Sequence, residues 1–445
     1  MVQSRISILL LCDDHRGHAN TVLDHINAFL NLSRHKVYKY NPRDLPFNYC
    51  LDLNEFGVVV IHYSLPIISD HYISPDLRQK IHRFQGLKIQ YIQDDYRQVD
   101  QYTAMMRFLG IRVLFTPYPP EKIPHIYDEN RLPGVMKMTT LTGYIPERHR
   151  KVVAPPLENR PIDVGYRGRD IPYWLGTLGQ EKAWIGEGFL KHAAPYGLNC
   201  DIGWKENDRI YGKRWDRFIS SCKAMLGTES GVSITDFDGS IEIRTKEYLA
   251  IHPQADFREV YEKVLEPYEG NLIENTISPR VFEYAVHRTA MILFPGEYSG
   301  ILQPWVHYIP LQKDFSNMDE VVARLRDKDF LNALVERAYN ELIISGKYSC
   351  WAMTREFDGV VERFFNSVLQ PNNRLKIRFR LARVERLIVG NLLRPSLNLE
   401  RRIYYFLHHL VYLVQTFLKK AAKRILSKSA YEQLRDYAEK HCRKL

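Results

Sequence analysis

Ser278-Pro279-Arg280-Val281-Phe282-Glu283-Tyr284-Ala285, followed by the apolar run Ala290–Phe294 and then by Pro295-Gly296-Glu297-Tyr298-Ser299-Gly300, reads as a helix, a buried strand and a turning loop in succession. Serine is expected just before a helix and proline in its first position. The unpaired N–H groups and the dipole of that helix end favour an anion such as a pyrophosphate. Glu283 lies one turn further in, where its carboxylate can accept from ribose hydroxyls.

The same alternation runs outward from this stretch. Upstream, Ile162–Tyr166, Asn199–Ile202 and Lys223–Gly227 read as strands, with helices at Gln180–His192 and Tyr211–Ser220. Downstream, Asn317–Arg326 and Phe330–Ile344 read as helices, so one α/β domain is expected over 161–350. Residues 1–147 repeat the pattern, with apolar runs Ile6–Cys12, Lys36–Tyr40, Val58–His62, Lys88–Ile92, Ile111–Phe115 and Met136–Thr140. Helical spacing at Thr21–Leu32 and Asp76–Phe84 separates them. Pro155, Pro156 and the charged run Glu147–Lys151 mark 148–160 as a linker. Strand–helix alternation implies right-handed crossovers and parallel sheets. The expected fold class is therefore α/β, with two doubly wound Rossmann-like domains facing a cleft. Residues 351–370 should form an amphipathic return helix, and 371–445 a basic helical tail.

The 445 residues carry a net charge of +10, unevenly placed. Residues 371–445 hold 18 Lys and Arg against 5 Asp and Glu; the other 370 hold 44 against 47. The body is near neutral, so a nucleic-acid partner is not expected for it. The six cysteines are scattered without a C-x-x-C pair, which offers neither a zinc site nor a disulfide framework. Reduced thiols and a short apolar start broken by Asp13 and Asp14 predict a cytoplasmic protein.

In doubly wound sheets ligands sit outside the strand C-ends. The first such turn is Cys12-Asp13-Asp14-His15-Arg16-Gly17-His18. It has no G-x-G-x-x-G fingerprint, but Asp13, His15 and His18 suit base work on a hydroxyl. Gln93-Asp94-Asp95-Tyr96-Arg97 follows another strand. In the second domain Ile162–Tyr166 runs into Arg167-Gly168-Arg169, and Lys182 opens the next helix. Arg and Lys converging on a strand end can neutralise a leaving diphosphate without a metal, so no cofactor is expected.

Gly165-Tyr166-Arg167, Leu226-Gly227-Thr228-Glu229-Ser230-Gly231 and Ser278–Ala285 followed by Phe294–Gly300 resemble the GT-B glycosyltransferases. The likeness is to bacterial family-1-type members of polysaccharide clusters and their spore-maturation-like relatives, and covers about residues 1–370. It implies a nucleotide-sugar donor held by the second domain, with Arg167, Arg169, Lys182, Glu229, Ser278 and Arg280 at the donor and Glu283 on ribose. Asp13, His15 and His18 would face a carbohydrate or lipid-linked acceptor. The retaining pattern, two Glu eight positions apart, is broken: Asn275 stands where the first would be, beside Glu274. Retaining and inverting chemistry both stay open.

Two other readings compete. A non-catalytic scaffold of the same fold would use the tail to reach a membrane surface. Ser233-Ile234-Thr235-Asp236-Phe237-Asp238-Gly239-Ser240 resembles the Asp-x-Asp loop of haloacid-dehalogenase phosphatases, though the buried strand that should precede it is missing. In the tail Ile403–Leu418 is too short to span a bilayer and is flanked by Arg401, Arg402, Lys419 and Lys420. That pattern predicts a helix lying on an anionic membrane surface, at the inner face of the membrane.

Overall fold

The computed structural model describes residues 5–15, 17–43 and 51–368. The tail 371–445, and the membrane expectation attached to it, lie outside these residues.

Strands β1 (Ser7–Leu11), β2 (Lys36–Tyr40), β3 (Val58–Ile61), β4 (Leu87–Tyr91), β5 (Val113–Thr116) and β6 (Met136–Thr139) form one sheet in the order β2-β1-β3-β4-β5-β6. Every pairing is parallel. Side chains alternate across it: Leu9, Leu11, Val59 and Ile61 pack under α2 (Pro75–Arg83) and α3 (Val99–Leu109), while Ile8, Leu10, Val58 and Val60 pack on the other face. Burial on both faces explains why these strands read as nearly unbroken apolar runs. α1 (Asn20–Leu32) covers the second face, and a short α4 (Ile123–Ile126) follows β5.

The second sheet has the order β13-β12-β9-β7-β8 and is also parallel. It comprises β7 (Ile162–Arg167), β8 (Cys200–Gly203), β9 (Cys222–Gly227), β12 (Ala290–Leu293) and β13 (Ile309–Pro310). α5 (Gly176–Ala193), α6 (Lys213–Ser221), α9 (Pro279–Val286), α10 (Met318–Arg326) and α11 (Lys328–Ala338) flank it. Then α12 (Cys350–Val368) returns to the first domain. Its Met353, Phe357 and Val361 join the core under α1, with Phe357 edge-on to Phe29 at 4.8 Å. Asp358 accepts from Ser33 Oγ at 2.6 Å and from the Arg34 amide at 2.9 Å.

Residues 230–276 form an excursion with its own elements. β10 (Ser230–Val232) and β11 (Glu274–Thr276) pair antiparallel and carry α7 (Ser240–Ile251) and α8 (Phe257–Val260) between them, over a small core of Trp174, Leu175, Ile234, Ile241 and Val260. The helix is hidden in the sequence because its apolar residues follow no single face: Ile241 is buried, whereas Ile243 and Ile251 are exposed. Gly239, in the left-handed region at φ +86, makes the turn into it. Asp236 accepts from the amides of Gly239, Ile241 and Glu242 at 2.9, 3.3 and 2.9 Å, a helix cap.

This excursion is stitched to the first domain. The Asp236 amide donates to Tyr96 O at 2.7 Å, the Gln98 amide to Asp236 O at 2.8 Å, and the Asp100 amide to Phe237 O at 2.9 Å. Arg97 makes a two-point contact with Glu242 at 2.6 and 2.7 Å.

Phe357→Ala tests the return helix. The ring is buried, so its truncation should cost about 3–5 kcal/mol. A loss below about 1 kcal/mol in denaturant unfolding would mean that α12 is not part of the first domain's core.

Candidate functional site

The first sheet reverses its winding between β1 and β3, so the crevice for a ligand opens at their C-ends. Asp13 sits there, fully covered. Its amide donates to Ser64 Oγ at 2.9 Å, and its carboxylate receives the His15 amide and Asn41 Nδ2, each at 3.2 Å, and the Arg43 guanidinium at 2.5 Å. His18 Nε2 lies 3.2 Å from the same carboxylate. Burial alone would raise the Asp13 carboxyl, but the Arg43 and His18 bonds more than offset it and hold it below its ordinary value. Asp13 is thus an anion that orients the half-exposed His18. His15 turns into its own loop, where Nδ1 accepts from the Gly17 amide at 3.3 Å.

Beneath this loop runs a chain that sequence reasoning missed. Ser64 Oγ lies 2.9 Å from His62 Nδ1, and His62 Nε2 lies 2.9 Å from His25 Nδ1. Burial keeps both imidazoles neutral, with His25 lowered to about 3. His62 follows the end of β3 and His25 sits inside α1, 37 positions apart, and nothing local in the sequence pairs them.

In the second domain a cavity of about 200 Å³ opens at the C-ends of β7 and β9. Arg169, Lys182, Ser278 and Arg280 line it together, with Thr228, Ser230 and Tyr284. Gly168 allows the close approach: a Cβ there would stand 2.7 Å from the Lys182 carbonyl. Ser278 precedes α9 but makes no side-chain cap, which leaves its hydroxyl facing the cavity. Burial first, then repulsion from Arg169 and Arg280, lowers Lys182 to about 8. Three cations and a helix N-terminus around one cavity make a receptor for a multivalent anion.

The other expected donor residues go elsewhere. Successive strand residues face opposite sides, so Tyr166 turns toward α5 and Arg167 toward α6. Arg167 stacks on Phe218 at 4.2 Å and bonds the Asp201 carboxylate at 2.7 Å; its carbonyl accepts from Arg280. It supports Arg280 and does not line the cavity. Glu229 is buried and accepts from the Tyr298 amide at 2.6 Å, holding the 295–300 loop. A Cβ on Gly296 would stand 2.5 Å from the Glu229 carboxylate, so a larger residue there would have to displace Glu229.

Glu283 lies on the opposite side of α9 from the cationic cavity. It accepts from Trp215 Nε1 at 2.7 Å and borders a second cavity shared with Asn20, Asp24 and Tyr144 of the first domain and Arg148 of the linker. Burial raises its carboxyl, opposed by the Trp215 bond. Asp236 and Asp238 do not form a phosphatase site: the first is committed to capping α7, and the second is exposed and accepts from the Ser240 amide at 2.9 Å. Among the described residues no group of three or more His, Cys, Asp and Glu is placed to hold a metal ion.

No family model matches the chain, and no curated protein matches it. Among solved structures it is similar to an alpha-glucosyltransferase in complex with UDP and a 13-mer DNA. The TM-score is 0.52 at 8% identity, over 80% of this chain and 99% of the other. The architecture is the GT-B fold. Weaker likenesses include Anabaena HepE in complex with UDP, with TM-score 0.44 at 8% identity over 80% of this chain and all of that one. Another is the DNA-modifying enzyme beta-glucosyltransferase, with TM-score 0.46 at 10% identity over 80% of this chain and 99% of that one.

Lys182 gives the cavity a pH signature. Inorganic pyrophosphate should bind more weakly above about pH 8, where Lys182 sheds its proton, and binding at pH 8.5 should take up protons. Lys182→Met should abolish that uptake. Calorimetry in buffers of different ionisation enthalpy reads it, and uptake that survives in the variant would place the anion elsewhere.

Proposed function

We propose that the protein is a glycosyltransferase that moves a sugar from a nucleoside-diphosphate donor to a carbohydrate or lipid-linked acceptor in cell-surface polysaccharide assembly. The observation that carries this reading is the convergence of Arg169, Lys182, Arg280 and Ser278 on one cavity at strand C-ends. The UDP bound by a protein of the same fold supports it.

The diphosphate occupies the cationic cavity, and Glu283, on the far side of α9 and bonded to Trp215, takes no part in holding it. On the facing domain His18 holds Nε2–H toward the Asp13 carboxylate, which leaves Nδ1 as the base. The acceptor hydroxyl gives its proton to Nδ1, and its oxygen bonds the sugar C1. The bond from C1 to the β-phosphate oxygen breaks, and its electrons stay on that oxygen. Arg169, Lys182 and Arg280 meet the charge that grows there, and Asp13 meets the imidazolium. A single displacement of this kind inverts the anomeric centre. Since the cations come from the chain, no metal is needed for the leaving group.

The similar alpha-glucosyltransferase is in complex with a 13-mer DNA. The near-neutral body offers no strong positive field for a polyanion, so a carbohydrate or lipid-linked acceptor is the better match. Residues 371–445 would bring the protein to an anionic membrane surface on the cytoplasmic side. Among the described residues no helix is long and apolar enough to cross a membrane.

Nucleoside-diphosphate release from a panel of nucleotide-sugars tests the activity. With the best donor, His18→Ala should lower kcat by about 10²–10⁴-fold with little change in donor KM. EDTA should leave turnover largely intact. Activity lost in chelator and restored by magnesium would overturn the cationic leaving-group site, and NMR of the first product reports inversion or retention.

A further inference from the structure

Main-chain pairing between β1 and β3 ends at the His62 amide, which donates to Leu11 O at 2.9 Å. The Asp13 amide, just past β1, reaches a side chain instead: Ser64 Oγ, at 2.9 Å. Ser64 therefore ties two loops together where the strands part and the crevice opens. It is half-buried, and the two imidazoles behind it, His62 and His25, are buried.

The direction of each hydrogen bond along this chain follows from the geometry. The Ser64 amide donates to His62 Nδ1 at 3.0 Å, and an amide N–H cannot accept, so Nδ1 carries a lone pair. Burial keeps His62 neutral, which puts its one ring proton on Nε2. Nε2–H then donates to His25 Nδ1 at 2.9 Å. On the near side, Ser64 Oγ takes the Asp13 N–H and gives its own hydrogen to His62 Nδ1 at 2.9 Å. Every bond thus runs inward from Asp13. A proton on His62 Nδ1 would set two donors, the ring and the Ser64 amide, against each other.

A serine, a histidine and a third polar group in this order could make a nucleophile, but only with a base able to hold the serine proton. His62 and His25 lie among the rings of Phe29, Tyr63 and Tyr91. Among the described residues neither imidazole bonds a carboxylate. An imidazolium there has no counter-charge, so the chain orients and does not react.

We infer that Ser64, its hydroxyl aimed by His62, is a positioning residue that fixes the main chain of Asp13 and so the carboxylate facing His18 Nε2. Arg43, Asn41 and the His15 amide hold the Asp13 carboxylate itself. Ser64 holds the backbone from which that carboxylate projects. Its value for catalysis rests on His18 being the base of the proposed transfer; the order of the hydrogen bonds does not.

The test uses the full chain with Ser64→Ala. Nitrogen-15 NMR with histidine-selective labelling reads the tautomers. In the native protein His62, His25 and His18 should each show one form, with the proton on Nε2. In S64A the Ser64 amide remains, so His62 should keep its form, while His18 should become a mixture of tautomers. A proton on His62 Nδ1, a native His18 that is already mixed, or a His18 unchanged in S64A would each overturn the inference. A second arm measures turnover with the best nucleotide-sugar. S64A should lower kcat by about 10–100-fold with little change in donor KM. Added to His18→Ala it should cost nothing further, because both act through one imidazole. Losses that multiply would overturn the positioning role. If the native protein turns over no nucleotide-sugar, the transfer reading falls alone, and the tautomer spectra still decide what Ser64 does.

Discussion

Like-charge repulsion among Arg169, Lys182 and Arg280 is the constraint around which the second domain is built. Three cations facing one cavity repel each other, and burial adds to the cost. The fold holds them by fixing each from behind. Arg280 is pinned by the Arg167 carbonyl and lies over the Trp215 ring at 5.3 Å. Tyr166 Oη donates to the Lys182 carbonyl at 2.7 Å, which ties the second turn of α5 to β7. Asp94 supplies negative potential nearby. The strain that remains is relieved when an anion enters, so the cavity is organised for its ligand before the ligand arrives.

The two domains answer this with opposite electrostatics. Around Asp13 the cations are paired off: Arg43 bonds Asp13, and Lys39 bonds Asp14. That end presents an oriented, partly exposed imidazole and little free positive charge. One side of the cleft is suited to taking up negative charge and the other to taking up a proton, which is the division of labour that group transfer between oxygens requires.

Much of this was legible in the sequence where the signal is local. All six first-domain strands, α5, α6 and α9 through α12 follow from apolar period and turn residues, because each buries a continuous face. Arg169 could be placed because it stands just past a strand; Lys182 was placed on the right helix, though that helix begins at Gly176 and puts Lys182 in its second turn. Arg167 was harder. Its side depends on strand parity and on Phe218 and Asp201, which are distant in sequence. The excursion 230–276 was not visible, since α7 has no single apolar face and its cap, Asp236, also pairs with Tyr96 and Gln98 of the other domain. His25–His62 was hidden for the same reason: it is a contact between remote positions, whose chemistry exists only once the chain has closed on itself.

The return of α12 gives the first domain a discontinuous gene order. The sheet face that carries Ile8, Leu10, Val58 and Val60 is completed by residues near 350–361, made only after the whole second domain. On the ribosome that apolar face therefore waits through some 200 further residues, longer than a domain needs to fold. During that interval Tyr91, Phe115 and their neighbours have only α1 as cover. The second domain, contiguous from β7 to α11, carries no such debt and can close on its own helices as it emerges. Synthesis thus favours the reverse of chain order: the donor-side domain matures first, and the domain that begins the chain is sealed last.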